Sequence, residues 1–247
     1  MAEMKIIRYS DQKYYNPIAI VGFPGIGLVG SILTSFVIRE LEMEIVAAVA
    51  SSDFPPYTLI QKGNPYPPVR IYGCKRECAS EECGDIIIVT SEITFKPENH
   101  YALNTTLGEL FKELGVAGVI AVEGIVQSGD DTNIFACGSS AASKERIDSL
   151  GLKRLDDGLV RGLTGVMLYE AFHSGADVIA MLCPASPILP DPRSAARILE
   201  PLSKLVPELK IDAKPLYKEA EEIENKIKQQ QEYGYDVAPK DVQQLYG

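Results

Sequence analysis

Apolar runs rich in isoleucine and valine alternate along the chain with stretches whose apolar residues recur at helical spacing. The apolar runs predict strands at 16–23, 44–50, 69–74, 85–92, 116–125, 132–138 and 176–184. The helical patterns predict helices at 27–42, 99–115, 140–149, 162–175 and 191–206. Gly115 marks the end of the second helix, and Asp191 with Pro192 opens the last. This order of elements is typical of an α/β protein.

The predicted strands are apolar throughout and do not alternate with polar residues. Strands of this kind are covered on both faces, so helices are expected on both sides of the sheet. The sequence therefore predicts a three-layer α/β/α sandwich with a largely parallel or mixed sheet. Residues 1–209 are expected to form this core domain.

The composition changes after about residue 210, where charged and polar residues dominate. A helix is predicted over 210–233, followed by a flexible tail over 234–247. Its apolar residues recur at 4-3-4 spacing: Leu216, Ala220, Ile223 and Ile227. Such a narrow seam is typical of a helix that pairs with a neighbour. The helix is thus either an oligomerisation element or a helix that packs on its own domain.

The charge balance and the distribution of apolar residues exclude several classes of function. The net charge is −10, with 34 acidic and 24 basic residues, which argues against non-specific binding to nucleic acid. No window approaches the run of about 18 apolar residues needed to span a membrane. The first ten residues lack the order of a signal peptide. We therefore expect a cytoplasmic protein.

A glycine-rich turn at 22–30 follows the first predicted strand. Gly25, Gly27 and Gly30 spell G-x-G-x-x-G at the opening of a helix, as a dinucleotide-binding turn requires. Asp53 stands near the end of the next strand, where a ribose-binding carboxylate would be. Small residues also let a tight strand–helix turn pack on the sheet, and Pro24 removes one N–H donor. Cofactor binding is therefore the alternative hypothesis for this turn.

Three cysteines, Cys74, Cys78 and Cys83, form C-x3-C-x4-C in one polar loop. Zinc knuckles use C-x2-C and occur in pairs, and the two histidines, His100 and His173, are distant in sequence. Free thiols or a Cys78–Cys83 bridge are the favoured interpretation. No metal site is expected.

Candidate catalytic groups are sparse. Four carboxylates lie at or just after predicted strand ends: Glu92, Glu123, Asp130 and Asp131. Strand ends are where α/β proteins place active sites, but neither histidine lies in a recognisable nucleophile motif. Arg161, just before a helix, is expected to pair with Asp156 or Asp157 rather than to clamp an anion. No reaction class follows from these residues.

Several segments together resemble the proteasome assembly chaperone 2 family, in particular its archaeal members. They are FPGIGLVG at 23–30, TSEITFKPEN at 90–99, VEGI at 122–125, GLVRGLTG at 158–165 and LPDPRSAARILEPL at 189–202. The resemblance implies a sandwich similar to purine nucleoside phosphorylases, without an established enzymatic activity or cofactor. The glycine turn then becomes a feature of the fold.

The last three residues match a docking motif of archaeal members of this family. The resemblance implies that Leu245, Tyr246 and Gly247 bind the α-ring of the proteasome core particle. The leucine would fill an apolar slot between adjacent ring subunits, and the tyrosine would add contact area and a hydrogen bond. The terminal carboxylate would pair with a lysine of that pocket.

The predicted function is a non-enzymatic, ATP-independent partner of the core particle, either an activator or an assembly chaperone. The 13 residues after Gly234 can extend about 40 Å, and several tails on one homo-oligomer would give useful affinity. No G-x4-G-K-[ST] motif of an ATPase occurs in the chain. The alternative is a nucleotide- or small-ligand-binding enzyme that uses the turn at 22–30.

Overall fold

A mixed sheet of nine strands organises the computed structural model, which describes residues 4–76, 84–126, 132–207, 209 and 211–222. The strands are β1 (Lys5–Arg8), β2 (Ile18–Gly22), β3 (Glu44–Ala50), β4 (Leu59–Gln61), β5 (Asn64–Tyr66), β6 (Val69–Cys74), β7 (Ile86–Thr90), β8 (Gly118–Val126), β9 (Phe135–Gly138), β10 (Lys153–Arg154) and β11 (Val178–Ala185). The helices are α1 (Val29–Glu40), α2 (Asn99–Leu114), α3 (Ala141–Ser149), α4 (Gly162–Ser174) and α5 (Pro192–Leu205). Strands β4 and β5 form a separate hairpin.

Parallel pairing is confined to the centre of the sheet and to one short edge pair. The strand order is β1-β3-β6-β7-β2-β8-β11-β9-β10. The four central strands, β7, β2, β8 and β11, run parallel to one another. On one side β6, β3 and β1 are antiparallel, and on the other β9 is antiparallel to β11. The prediction of a largely parallel or mixed sheet is confirmed in its mixed form.

Helices cover both faces of the central strands because successive side chains point to opposite faces. In β2, Ile20 packs into the core beneath α1, α3 and α5. Its neighbours Ala19 and Val21 pack on the other face beneath α2 and α4. All three side chains are buried, which explains the continuous apolar run in the sequence. The predicted three-layer α/β/α sandwich is therefore confirmed.

The structure departs from the predicted elements at short or exposed segments. The helix predicted over 27–42 begins with a 3-10 turn, Ile26–Leu28, before α1. The β4–β5 hairpin was not predicted, although Lys62 and Gly63 at its turn have φ of 49° and 78°. Left-handed residues at both central positions suit a tight hairpin. Pro65 in β5 weakens the sequence signal because proline is rare within strands.

The C-terminal helix is described over residues 214–222. Leu216 and Ala220, the first two residues of the apolar seam, are buried in the chain's own core. Glu219 lies 3.7 Å from Arg39 at the end of α1. This part of the helix therefore packs on its own domain. The remainder of the predicted helix, with Ile223 and Ile227, lies outside the described residues.

Asp191 caps α5 and ties its start to the preceding loop. Its carboxylate accepts hydrogen bonds from the Ser194 amide at 2.8 Å, the Ser194 hydroxyl at 2.9 Å and the Ser186 amide at 3.2 Å. Asp191→Ala should therefore destabilise the protein by about 2 kcal/mol in chemical denaturation. Asp11→Ala, at an exposed carboxylate, should change stability by less than about 0.5 kcal/mol. Equal effects of the two substitutions would contradict the capping role.

Candidate functional site

The segments that carry the family resemblance meet at one edge of the sheet. Strands β2, β7, β8 and β11 are parallel, so their carboxyl ends lie together. The glycine turn leaves β2 at this edge, and α5 begins here because the Asp191 amide donates to the Gly27 carbonyl at 2.8 Å. Helices α2 and α4 also begin here, with His100 packed 3.9 Å from the position a Cβ on Gly162 would take. This edge is the candidate functional site.

Gly25 lies directly against the side chain of Glu123 in β8. A Cβ on Gly25 would overlap the Glu123 Oε1 atom. On the same strand, a Cβ on Gly124 would overlap the Ile26 carbonyl oxygen. The glycine turn therefore packs on β8 through the Glu123 side chain at Gly25 and backbone to backbone at Gly124, an approach that side chains at these two positions would prevent.

Gly27 and Gly30 are also enclosed by the chain itself. Gly27 has φ of 61°, and its Cβ position is 2.8 Å from the Ala185 Cβ. The Cβ position of Gly30 is 2.5 Å from the Val122 carbonyl oxygen. In a dinucleotide site the second glycine lets the backbone approach the pyrophosphate, whereas here Gly27 faces Ala185 of β11 and Asp191 before α5. Close packing within the chain therefore explains why these positions are glycine.

Asp53, the fourth residue of the cofactor hypothesis, lies in the loop after β3. Its backbone carbonyl accepts a hydrogen bond from Asn99 Nδ2 at 3.1 Å, at the start of α2. Next to it, Phe54 stacks at 4.7 Å between ring centroids on Phe95, which also contacts Phe23. Asp53 is thus attached to α2, while the glycines contact β8, β11 and α5.

Glu123 is the most perturbed carboxyl group at this edge. Thr164 Oγ1, in the first turn of α4, donates a hydrogen bond to Oε2 at 3.1 Å. Burial raises the pKa of Glu123 to about 7, although the Thr164 hydrogen bond acts in the opposite direction. The charged form is costly here because no cation pairs with it among the described residues. Glu123 is thus able to hold or release a proton near neutral pH.

The histidines do not extend this chemistry. His100 lies at the start of α2, where burial lowers its pKa and nearby Glu98 partly opposes that effect. His173 is exposed at the end of α4 and stacks against Tyr169 at 4.8 Å between centroids. Neither histidine hydrogen-bonds to Glu123 among the described residues, so no proton relay connects them.

The other predicted carboxylates are not brought to Glu123. Glu92 follows β7 and pairs with the buried Arg70 of β6. Asp130 and Asp131 lie outside the described residues. The expected pairing of Arg161 with Asp156 or Asp157 is wrong. Arg161 is exposed at the start of α4, and it forms no ion pair in the part of the chain that the structure describes.

Most of the cysteine loop and the whole terminal motif lie outside the described residues. Cys74 is a free thiol at the end of β6, whereas Cys78 and Cys83 lie outside the described residues. Within those residues no cluster of three histidine, cysteine or carboxylate side chains is arranged to hold a metal ion. No described helix combines the length and apolarity needed to cross a membrane. The predicted docking residues 245–247 also lie outside.

Comparison with known proteins decides the family. The model described as the PAC2 family matches residues 19–231. The chain belongs to the PAC2 family. This confirms the resemblance inferred from its sequence segments. An uncharacterized protein of Methanocaldococcus jannaschii is 34% identical over 228 residues, which cover 92% of this chain and 90% of that relative.

Two solved structures from Pyrococcus furiosus share the fold of this PAC2 chain. PbaA, described as an archaeal homolog of proteasome-assembly chaperone, is 31% identical with a TM-score of 0.81, covering 94% of this chain and 92% of PbaA. PbaB, described as an archaeal proteasome activator, is 24% identical with a TM-score of 0.79, covering 93% of this chain and 99% of PbaB. The second similarity supports the fold alone.

Sequence reasoning missed two residues that matter in this PAC2 chain. Thr164 lies within the GLVRGLTG segment and a predicted helix but was given no role of its own, yet it supplies the hydrogen bond to Glu123. Arg70 was seen only as part of a strand, yet it is buried and pairs with Glu92. The one available signal was a charged residue within an otherwise apolar strand, VRIYGC, since buried charges require partners.

Proposed function

We propose that this PAC2 chain is a non-enzymatic, ATP-independent partner of the proteasome core particle in the cytoplasm. It acts as a gate-opening activator or as an assembly chaperone. The observation that carries the proposal is the similarity to PbaA, at 31% identity over nearly the full length of both chains. PbaA is described as an archaeal homolog of proteasome-assembly chaperone. A protein of this class acts by binding, so the contact residues define its function.

Docking is assigned to Leu245, Tyr246 and Gly247. The leucine side chain enters an apolar slot between two subunits of the α-ring, and the tyrosine ring packs beside it with its hydroxyl hydrogen-bonded. The carboxylate of Gly247 pairs with a lysine of the pocket. Because a backbone carboxylate is available only at a chain end, adding residues after Gly247 should abolish this contact.

Homo-oligomerisation supplies the affinity that one tail lacks. Several tails on one body raise the effective concentration of each remaining tail once the first has bound. The 13 residues after Gly234 span about 40 Å when extended, which lets separate tails reach separate pockets. The described helix at 214–222 packs on its own core, so the subunit contacts must involve other surfaces or the residues that follow.

The packing of the glycine turn supports a role without a dinucleotide cofactor. Ala185 and Asp191 lie within 3.0 Å of the Cβ position of Gly27, where a dinucleotide turn would leave room for the pyrophosphate. A pyrophosphate could approach there only if the end of β11 or the start of α5 moved. The turn therefore connects β2 to α1 and holds α1 on the centre of the sheet.

The proposal predicts that the chain accelerates hydrolysis of a fluorogenic peptide by a matched archaeal core particle. Deletion of residues 245–247 should abolish the stimulation because all three docking contacts are lost. Tyr246→Ala should reduce it at least about tenfold, since loss of a buried tyrosine from an interface commonly costs 2 kcal/mol or more. Tyr235→Ala, at a tyrosine outside the terminal motif, should leave the stimulation unchanged.

An assembly chaperone would give a different result. It should bind unassembled core-particle subunits in a pull-down and leave peptide hydrolysis by the mature particle unchanged. If the intact chain neither stimulates the mature particle nor binds particle or subunits, the proposed function is wrong. Stimulation that survives deletion of residues 245–247 would retain the partner but exclude the terminal motif.

A further inference from the structure

An open groove lies beside α1, on the face of the sheet that α1 covers. Its volume is about 950 Å³, and α1, β3, β6, the end of β7 and the β4–β5 hairpin form its walls. Its lining includes Arg70, Tyr72 and Glu92, together with Lys62, Ile45 and Tyr66. Pockets of roughly 300–1,000 Å³ with a few convergent polar groups are typical of small-molecule sites. We call this cavity the Arg70 groove.

Arg70 is the unusual residue in this groove because a charged side chain is buried in a strand. It is only 3% exposed. Its Nη1 donates to the Tyr72 hydroxyl at 2.8 Å, and that hydroxyl donates to Gln61 Oε1 at 2.7 Å. Its Nη2 donates to Glu92. Its Nε has no hydrogen-bond partner among the described residues.

The buried guanidinium is incompletely satisfied by the protein. A buried donor without an acceptor is unfavourable, and native structures contain few of them. The compensating charge comes from Glu92, whose side chain is 37% exposed and therefore free to turn toward solvent. A planar guanidinium of this kind pairs well with the oxygens of a phosphate or carboxylate.

The surroundings of Arg70 supply further donors and an apolar wall. Lys62 lines the groove, and so does Arg39, whose guanidinium also lies 3.7 Å from Glu219. The ring of Tyr66 and the side chain of Ile45 line it as well. The groove also holds the carboxylates of Glu42, Glu44 and Glu92, so an anion is selected by the buried Arg70 guanidinium and not by the net charge of the cavity.

We propose that the Arg70 groove binds a small phosphate-bearing molecule. The phosphate pairs with the Arg70 guanidinium in place of Glu92, which turns outward, and receives a further hydrogen bond from Lys62. The remainder of the ligand packs on Tyr66 and Ile45. A phosphate suits this site better than a carboxylate because its additional oxygen and charge let it pair with the Arg70 guanidinium and the Lys62 ammonium at once.

This site is distinct from the glycine turn and independent of the core-particle contact. The turn is filled by β8 and β11, whereas the groove lies on the other side of α1, against β3 and β6. No bond of the ligand is broken or formed in the proposed site, so the inference concerns binding alone. If the proteasome proposal fails, the phosphate site is unaffected. If the phosphate site fails, the proteasome proposal is unaffected.

Titration of the intact chain with inorganic phosphate and with phenyl phosphate, followed by calorimetry, tests the site. The wild type should bind both saturably, and phenyl phosphate more tightly because its ring meets the apolar wall. Glu92→Gln should strengthen phosphate binding about tenfold, since the competing carboxylate is gone. Glu44→Gln removes an exposed groove carboxylate that does not contact Arg70, and should change binding by less than about threefold.

Thermal denaturation gives a second readout that a purely structural ion pair would not share. Glu92→Gln should lower Tm, because it leaves the buried Arg70 charge unpaired, and phosphate should restore Tm more than chloride at equal ionic strength. The inference is overturned if neither the wild type nor Glu92→Gln binds phosphate saturably. It is also overturned if Glu92→Gln and Glu44→Gln give equal gains, or if acetate binds as tightly as phosphate.

Discussion

Replacing Gly30 with alanine should destabilise the protein severely, whereas the same replacement at Gly108 should stabilise it. A Cβ on Gly30 would lie 2.5 Å from the Val122 carbonyl oxygen and 2.9 Å from that of Phe23. Both are backbone atoms at the centre of the molecule, so the methyl group cannot be accommodated by a rotamer change. Either α1 or β8 must shift, and we expect a loss of about 3 kcal/mol or more.

Gly108 provides the matched control because the substitution is chemically identical. It lies within α2, is exposed, and its Cβ position has no atom within 4 Å. Alanine should therefore raise the free energy of unfolding by about 0.5–1 kcal/mol, since glycine is unfavourable inside a helix. Chemical denaturation measures both variants. A Gly30→Ala variant within about 1 kcal/mol of the wild type would contradict the close packing of α1 on β8 at this position.

The central strands could be predicted because strands buried on both faces consist almost entirely of apolar residues. Strand β7 is four apolar residues and a threonine, all buried, within the predicted segment 85–92. Strand β10 could not be predicted, because Lys153 and Arg154 form a two-residue edge strand with exposed side chains. An edge strand needs neither apolar faces nor length, so pairing in space decides its existence.

The candidate site was predictable in its parts and not in its contacts. The glycine turn and Glu123 were found from motif and strand-end position. That a Cβ on Gly25 would overlap the Glu123 carboxylate depends on two strands being neighbours, which local sequence does not encode. The same holds for Arg70 and Glu92, which come from adjacent strands β6 and β7 and pair only after these strands align. For Arg161, the nearby Asp156 and Asp157 in the sequence suggested an ion pair, which does not form among the described residues.

The environment of Glu123 makes the stability of the fold depend on pH. Burial raises its pKa from an ordinary value of 4.5 to about 7. Below about pH 4.5 the carboxyl is protonated in both the folded and the unfolded chain, and it imposes no penalty. Between pH 4.5 and 7 the unfolded chain releases the proton first, so folding becomes less favourable as pH rises. Above pH 7 the penalty is complete and constant.

Glu123→Gln should therefore stabilise the protein at pH 8 by about 2–3 kcal/mol and leave stability at pH 4.5 nearly unchanged. The amide is uncharged at both pH values, and its oxygen can still accept the hydrogen bond from Thr164. Denaturant titrations of wild type and variant at several pH values between 4.5 and 8 measure the difference. Because only the wild type titrates at this position, the gain should grow steadily through this range.

Glu145→Gln supplies the control for the loss of one negative charge. Glu145 is exposed on α3, so its replacement should change stability by less than about 0.5 kcal/mol at either pH. If Glu123→Gln instead destabilises the protein at pH 8 and has little effect at pH 4.5, its ionised carboxylate makes a contact that the amide cannot replace. The charge of Glu123 would then stabilise this edge of the sheet, as expected for a carboxylate that contacts a bound cation or a partner.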